Sequence, residues 1–217
     1  MDTPILCCII YFNGESNTNS LLAEHYWCKL RLPEDIKVVL VFNKPPNNLS
    51  SITLPVVITS KPNMVCSMIY SLDKCCKSIQ PKSKHYMFMA PNTIIDTKGL
   101  LDYFSLSELD VAAIGGIISE TDMRVKYALG GTLWMTNNVA RDLSEMQLDN
   151  NTYFTPYDIM LSQICYNFKP VIIDSPFIIV KSDDDIVTLD TCRSLVIIVG
   201  EPYVVESQVY SLLLQFV

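Results

Sequence analysis

Ile5-Leu6-Cys7-Cys8-Ile9-Ile10-Tyr11-Phe12 is an unbroken apolar run closed by Asn13-Gly14. A half-exposed strand would alternate polar and apolar residues, so a continuous run predicts a strand covered on both faces, with Asn-Gly as its turn. Outward from it, the pattern predicts a helix from Leu21 to Leu32, with Leu21, Leu22, Tyr26 and Leu30 on one face and Pro33 as its stop. Ile36–Phe42 repeats the buried-strand pattern, and Leu54–Thr59 follows the loop Pro45-Pro46-Asn47-Asn48 as a short third strand. Val65, Met68, Ile69, Leu72, Cys75, Cys76 and Ile79 recur at spacings of three and four, the signature of an amphipathic helix. Tyr86–Met89 is a fourth predicted strand, ending at Ala90-Pro91-Asn92.

The alternation continues. Asp96 or Thr97 is placed to cap a helix carrying Leu100, Leu101 and Phe104. Val111–Ile118 and Leu129–Met135 are predicted strands, Asn137 is placed to cap a helix through Met146, and Thr155-Pro156 opens another through Phe168. Val171–Ile173, Phe177–Val180 and Leu195–Val199 are late strands, and residues 203–217 read equally as helix or strand. Strands alternating with helices imply βαβ units. The expected architecture is one α/β domain, a mostly parallel central sheet with helices on both faces.

Composition narrows the function classes. Of 217 residues 49% are hydrophobic and 18% charged, which excludes a disordered chain. Lys and Arg number 16 against 23 Asp and Glu, a formal charge of −7. An acidic chain is a poor partner for nucleic acid or anionic lipid, both of which need a basic face. The eight cysteines do not form a disulfide pattern: Cys7 and Cys8 lie inside a strand, Cys66, Cys75 and Cys76 on one helix, and no CxxC pair occurs. No basic leader precedes the first apolar run, and that run and Leu212-Leu213-Leu214 are too short to span a bilayer. The expected setting is the reducing cytoplasm. Gly14 stands alone after the first strand, so neither GxGxxG nor GxxxxGK[ST] is present, and no GxSxG occurs.

From His85 to Phe168 the order of elements carries more. Tyr86-Met87-Phe88-Met89-Ala90-Pro91-Asn92-Thr93 leads into the helix from Asp96, then Val111–Ile118, then Tyr127-Ala128-Leu129-Gly130-Gly131-Thr132-Leu133-Trp134-Met135, a helix from Asn137, and finally Tyr157-Asp158-Ile159. This order resembles the central part of GT-A-fold glycosyltransferases, nearest to the fringe-like enzymes. The resemblance implies a nucleotide-binding half over residues 1–92, an acceptor half over 93–182 and a C-terminal extension over 183–217. It also implies transfer of a sugar from a nucleotide-sugar donor, UDP-linked, to a glycan or protein acceptor. The alternative is a protein of the same fold that binds a protein partner without turnover.

The resemblance places donor contacts at Tyr11, Phe12, Asn13, Lys61 and Asn92. It places Asp158 as the base that takes a proton from the acceptor hydroxyl, a role shared with a capping box in which Thr155 is N-cap and Asp158 the third residue. Acceptor contacts fall on Tyr127, Gly130, Gly131 and Trp134, the glycines removing Cβ clashes and the rings facing the sugar; a bulged strand with core aromatics explains the same residues. The family's Asp-x-Asp cluster holds Mn2+ or Mg2+ against the diphosphate, but here the segment is Ala90-Pro91-Asn92. Asn92 and Asp96 are the remaining metal candidates there, Asp96 doubling as a helix cap, and Asp183-Asp184-Asp185 is either a late metal cluster or a solvated loop. Arg124 and Lys126 stand with Lys61 as cations for a diphosphate.

Overall fold

The computed structural model describes residues 4–12, 22–47, 49–61, 63–91, 93–106, 111–147, 156–180 and 196–199. The first apolar run becomes strand β1 (Leu6–Phe12), buried along its whole length, and Ile36–Phe42 becomes β2. Then come β3 (Val56–Ile58), helix α1 (Met64–Lys74), β4 (His85–Met89), β5 (Thr93–Ile95) and helix α2 (Thr97–Leu106). Strand β6 (Ala113–Gly116) precedes the hairpin of β7 (Ile118–Glu120) and β8 (Lys126–Ala128); β9 (Trp134–Thr136), α3 (Asn137–Ser144), α4 (Tyr157–Tyr166), β10 (Val171–Asp174), β11 (Ile178–Val180) and β12 (Val196–Val199) complete the order.

Seven strands form one sheet in the order β10-β6-β9-β4-β1-β2-β3. All its pairs are parallel except those of β9, which runs against both β4 and β6. The expected mostly parallel α/β sheet is present. Strand β1 pairs with β2 from Leu6↔Ile36 to Phe12↔Phe42, and with β4 from Leu6↔His85 to Ile10↔Met89.

Period-two alternation sends the side chains of these strands to two cores. Leu6, Cys8, Ile10, Phe12, Leu40, Met87 and Met89 face a layer built from Tyr26, Trp27, Leu100 and Phe104. Cys7, Ile9, Tyr11, Val39, Val41, Tyr86 and Phe88 face α1, α3 and α4 through Met68, Leu72, Val139, Leu143 and Leu161. Burying one such Leu, Ile or Phe contributes about 1.5–3 kcal/mol, which is why both faces must be covered. Cys7, Cys8, Cys28, Cys66, Cys75, Cys76 and Cys165 carry free thiols, and burial pushes those of Cys8, Cys76 and Cys165 up to about 12. They behave as small apolar side chains.

Several boundaries differ from the sequence reading. The first helix covers only Leu22–Trp27 and is wound as a π-helix, closed by Cys28 N–H on the Ala23 carbonyl at 3.0 Å. Helix α1 gives way to a π-turn over Cys75–Ile79. The strand expected from Val111 stops at Gly116, and the one expected from Leu129 begins only at Trp134, since Gly130 and Gly131 form a turn. Asn137 is the first helical residue of α3 rather than its cap, and its side-chain amide donates to the Ser83 carbonyl at 2.7 Å. Strand β12 lies in the stretch expected as a C-terminal extension; it pairs antiparallel with β5 and parallel with β11. Residues 203–217 lie outside the described residues.

Candidate functional site

In an open parallel sheet, ligands bind beyond the carboxyl ends of the strands. Here that edge is where β1 ends at Phe12, β3 is followed by Thr59 and Lys61, and β4 runs into Ala90 and Pro91. Because β9 is reversed, the turn that precedes it also lies at this edge, and Phe88 N–H donates to the Leu133 carbonyl at 2.8 Å.

Gly130 and Asp158 meet there. Asp158 opens α4 as its second residue, and its Oδ2 accepts the Gly130 N–H at 3.2 Å while Oδ1 accepts the Ile159 N–H at 2.8 Å. Pro156 occupies the N-cap position, so the carboxylate reaches out to another loop where a capping box would turn it back; Thr155 lies outside the described residues. Each carboxylate oxygen keeps a further acceptor position, the requirement for a base. A Cβ on Gly130 would collide with the Tyr157 hydroxyl, so the glycine is required by close approach. Burial, with the neighbouring Asp158 carboxylate adding to it, raises the Tyr157 hydroxyl to about 12, and it stays protonated as a donor. Nothing in the sequence marks Tyr157 except its position before Asp158.

The β7–β8 hairpin leads into this turn. It carries Tyr127, half-buried and opposite Ser119, and is fastened to α4 by Ala128 N–H on Ser162 Oγ at 3.0 Å and by the Tyr166 hydroxyl on the Lys126 carbonyl. Lys126 is exposed, and Arg124 sits at the hairpin tip with φ 60°. Gly131, at φ 80°, makes the second half of the Gly-Gly turn.

Trp134 is elsewhere. It is fully buried, its Nε1 donates to Ser175 Oγ at 2.8 Å, and Phe104 and Tyr103 meet it edge-on at 5.3 and 6.3 Å. An added Cβ on Gly115 would fall on its indole, so Gly115 is the glycine that seats this ring. It has no exposed face for a sugar. Phe12 likewise is fully buried and stacks on Phe42 at 4.6 Å. Tyr11 is 6% exposed, its hydroxyl bonded to Ser67 and raised by burial. Thr59 Oγ1 donates to Ser67 Oγ at 3.3 Å, giving a small hydroxyl cluster that the sequence reading did not single out. Lys61 is exposed with its Nζ 5.5 Å from the Tyr70 ring centroid.

Asn13, Asn92 and Asp183-Asp184-Asp185 lie outside the described residues. Of the remaining metal candidates, Asp96 acts as the cap of α2, its Oδ1 accepting the Gly99 N–H at 3.0 Å. Ala90 and Pro91 supply no carboxylate, and the Pro91 carbonyl already accepts the Trp27 indole N–H at 2.8 Å. Among the described residues no group of three or more His, Cys, Asp and Glu is placed to hold a metal ion. The described residues at the end of β4 therefore do not fit the divalent cation that the resemblance implies.

No protein-family model and no curated protein matches this sequence. Solved structures do. The apo-form glycosyltransferase GlyE of Streptococcus pneumoniae TIGR4 aligns with a TM-score of 0.54 at 12% identity, over 99% of this chain and 63% of that one. The mannosyltransferase PcManGT of Pyrobaculum calidifontis, determined with GDP-Man and Mn2+, aligns at 0.52 and 10% identity, over 81% of this chain and 55% of its own. S. aureus TarS 1–349 aligns at 0.50 and 12% identity, over 75% and 55% respectively. The chain thus spans less than two thirds of each of these neighbours. What they share with it is a GT-A-like glycosyltransferase fold.

Proposed function

We propose that this chain is a glycosyltransferase that moves a sugar from a nucleotide-sugar donor, UDP-linked, to a glycan or protein acceptor, as the fringe-like resemblance implies. The observation that carries the reading is the Asp158–Gly130 hydrogen bond, which brings an acidic helix start and a glycine turn together at the carboxyl edge of the sheet. In this reading Asp158 accepts the proton of the acceptor hydroxyl as that oxygen attacks the anomeric carbon. In this reading Gly130, Gly131 and Tyr127 form the acceptor side and Tyr11 and Lys61 the donor side, to which the sequence adds Asn13 and Asn92, outside the described residues. Phe12 and Trp134 act through packing.

A second reading is favoured by one observation: the end of β4 is Ala90-Pro91, closed by Trp27, with no carboxylate for a metal–diphosphate complex. It describes a protein of this fold that binds a protein partner without turnover. Release of free sugar from UDP-, GDP- and CMP-sugars by the purified protein separates the two. Slow hydrolysis that disappears in Asp158→Asn supports transfer. Absence of hydrolysis with every donor leaves the binding protein.

A further inference from the structure

The end of β4 is the place where a divalent cation would have to meet a diphosphate, and the described residues there carry no carboxylate. Ala90 offers a methyl group and Pro91 a ring, and their carbonyls, neutral oxygens only, take the Thr93 N–H at 3.2 Å and the Trp27 indole N–H at 2.8 Å. Asp96, the next carboxylate along the chain, takes the Gly99 N–H at the start of α2. The two acidic groups at the neighbouring loops are also held by backbone: Asp158 by Gly130 and Ile159, and Asp174 by Ile118 N–H at 3.1 Å. A Mg2+ or Mn2+ site needs one or two free carboxylates beside the phosphates, because neutral oxygens alone do not repay dehydration of so hard an ion. Among the described residues no group of three or more His, Cys, Asp and Glu converges on this edge to receive the cation.

We infer that this chain takes the diphosphate of its nucleotide sugar without a bound divalent cation. The inference rests on the glycosyltransferase reading for the identity of the ligand, but not for the chemistry of the edge. Side-chain cations and N–H groups neutralise the phosphates in place of the metal. Lys61 is one such cation, exposed after β3 with its ammonium over the Tyr70 ring.

Isothermal titration of the full chain with UDP-glucose, UDP-N-acetylglucosamine, GDP-mannose and a CMP-sugar, once in excess EDTA and once in Mn2+, tests this. The Mn2+ electron paramagnetic resonance signal is followed in parallel, with protein alone and with protein plus nucleotide sugar. The expected result is the same affinity in both buffers and no Mn2+ signal lost to the protein. A gain in affinity of about tenfold or more with Mn2+ overturns the inference and leaves the glycosyltransferase reading in place. If no nucleotide sugar binds in either buffer, the glycosyltransferase reading falls. The inference falls with it, and one equivalent of Mn2+ bound by the protein alone overturns the inference independently.

Discussion

The two ends of β4's neighbourhood are built on opposite terms. Where β1 and β4 end, the Pro91 carbonyl is capped by the Trp27 indole and Phe12 stacks on Phe42: aromatic groups close the strand ends. At the turn before β9, Gly130 has no side chain, and a carboxylate holds it from a different element. The difference teaches that a sheet edge is specified piece by piece. One part is fixed by packing among apolar groups, and the other by a carboxylate that reaches the turn from a different element.

The strongest way to break this contrast is at Asp158. Asp158→Asn keeps the Gly130 N–H acceptor but removes the base, so donor hydrolysis should fall by about 10²–10⁴-fold with the circular dichroism spectrum unchanged. A fall in activity matched by loss of fold would mean that Asp158 only anchors the turn. Trp134→Ala reverses the pattern. It empties a fully buried site bounded by Phe104, Tyr103 and Gly115, and urea denaturation should show a loss of about 3–5 kcal/mol. Substrate affinity of the remaining folded protein should hold; a selective loss of acceptor affinity would restore the ring to the site.

His85 sharpens the contrast through pH. It is 3% exposed among Phe104 and Trp134, with Nδ1 3.3 Å from the Ile5 carbonyl, and burial pushes it down from 6.5 to about 4. Its folded form therefore binds a proton less readily than the unfolded chain. Stability is unaffected by this group above pH 6.5, declines as pH falls through the unfolded value, and has lost about 3 kcal/mol by pH 4. His85→Phe should flatten that part of the stability–pH curve, and an unchanged slope would refute the assignment.

The smallest expected effect is Gly130→Ala. The new methyl group meets only the far end of the Tyr157 side chain, so the cost should be about 1–3 kcal/mol. Adding Tyr157→Phe should recover part of it, since the colliding oxygen is gone while the ring carbon Cζ stays at 2.8 Å. Additive losses in that double mutant would show that the turn is strained for another reason.

Where every residue of a segment answers to one physical demand, the sequence was enough. Ile36–Phe42 is apolar but for the half-buried Lys37 and bounded by Asp35 and Asn43, and the strand has those same limits. The heptad-like spacing through Leu72 likewise marks α1, although it does not reveal that Cys75–Ile79 continues as a π-turn, because both windings keep the same apolar face inward. The meeting of Gly130 with Asp158 was legible as two separate motifs, but not as one hydrogen bond, since that depends on β9 being antiparallel. Trp134 shows the limit most clearly. A Trp near a Gly-Gly pair looks like a sugar platform, yet the glycine that fits it is Gly115 on the adjoining strand, distant in the chain. Composition cannot state which face of a three-residue strand a ring occupies.

The reversal of β9 has an evolutionary reading as well. Strand β6 leaves the sheet at the same edge where β9 enters it, so residues 117–133 depart and return within one neighbourhood and carry the β7–β8 hairpin as an excursion. Such a segment can be lengthened, trimmed or exchanged without shifting the register of either strand. The hairpin is thus a replaceable cassette beside Gly130, free to change in length and sequence while the open sheet stays unaltered.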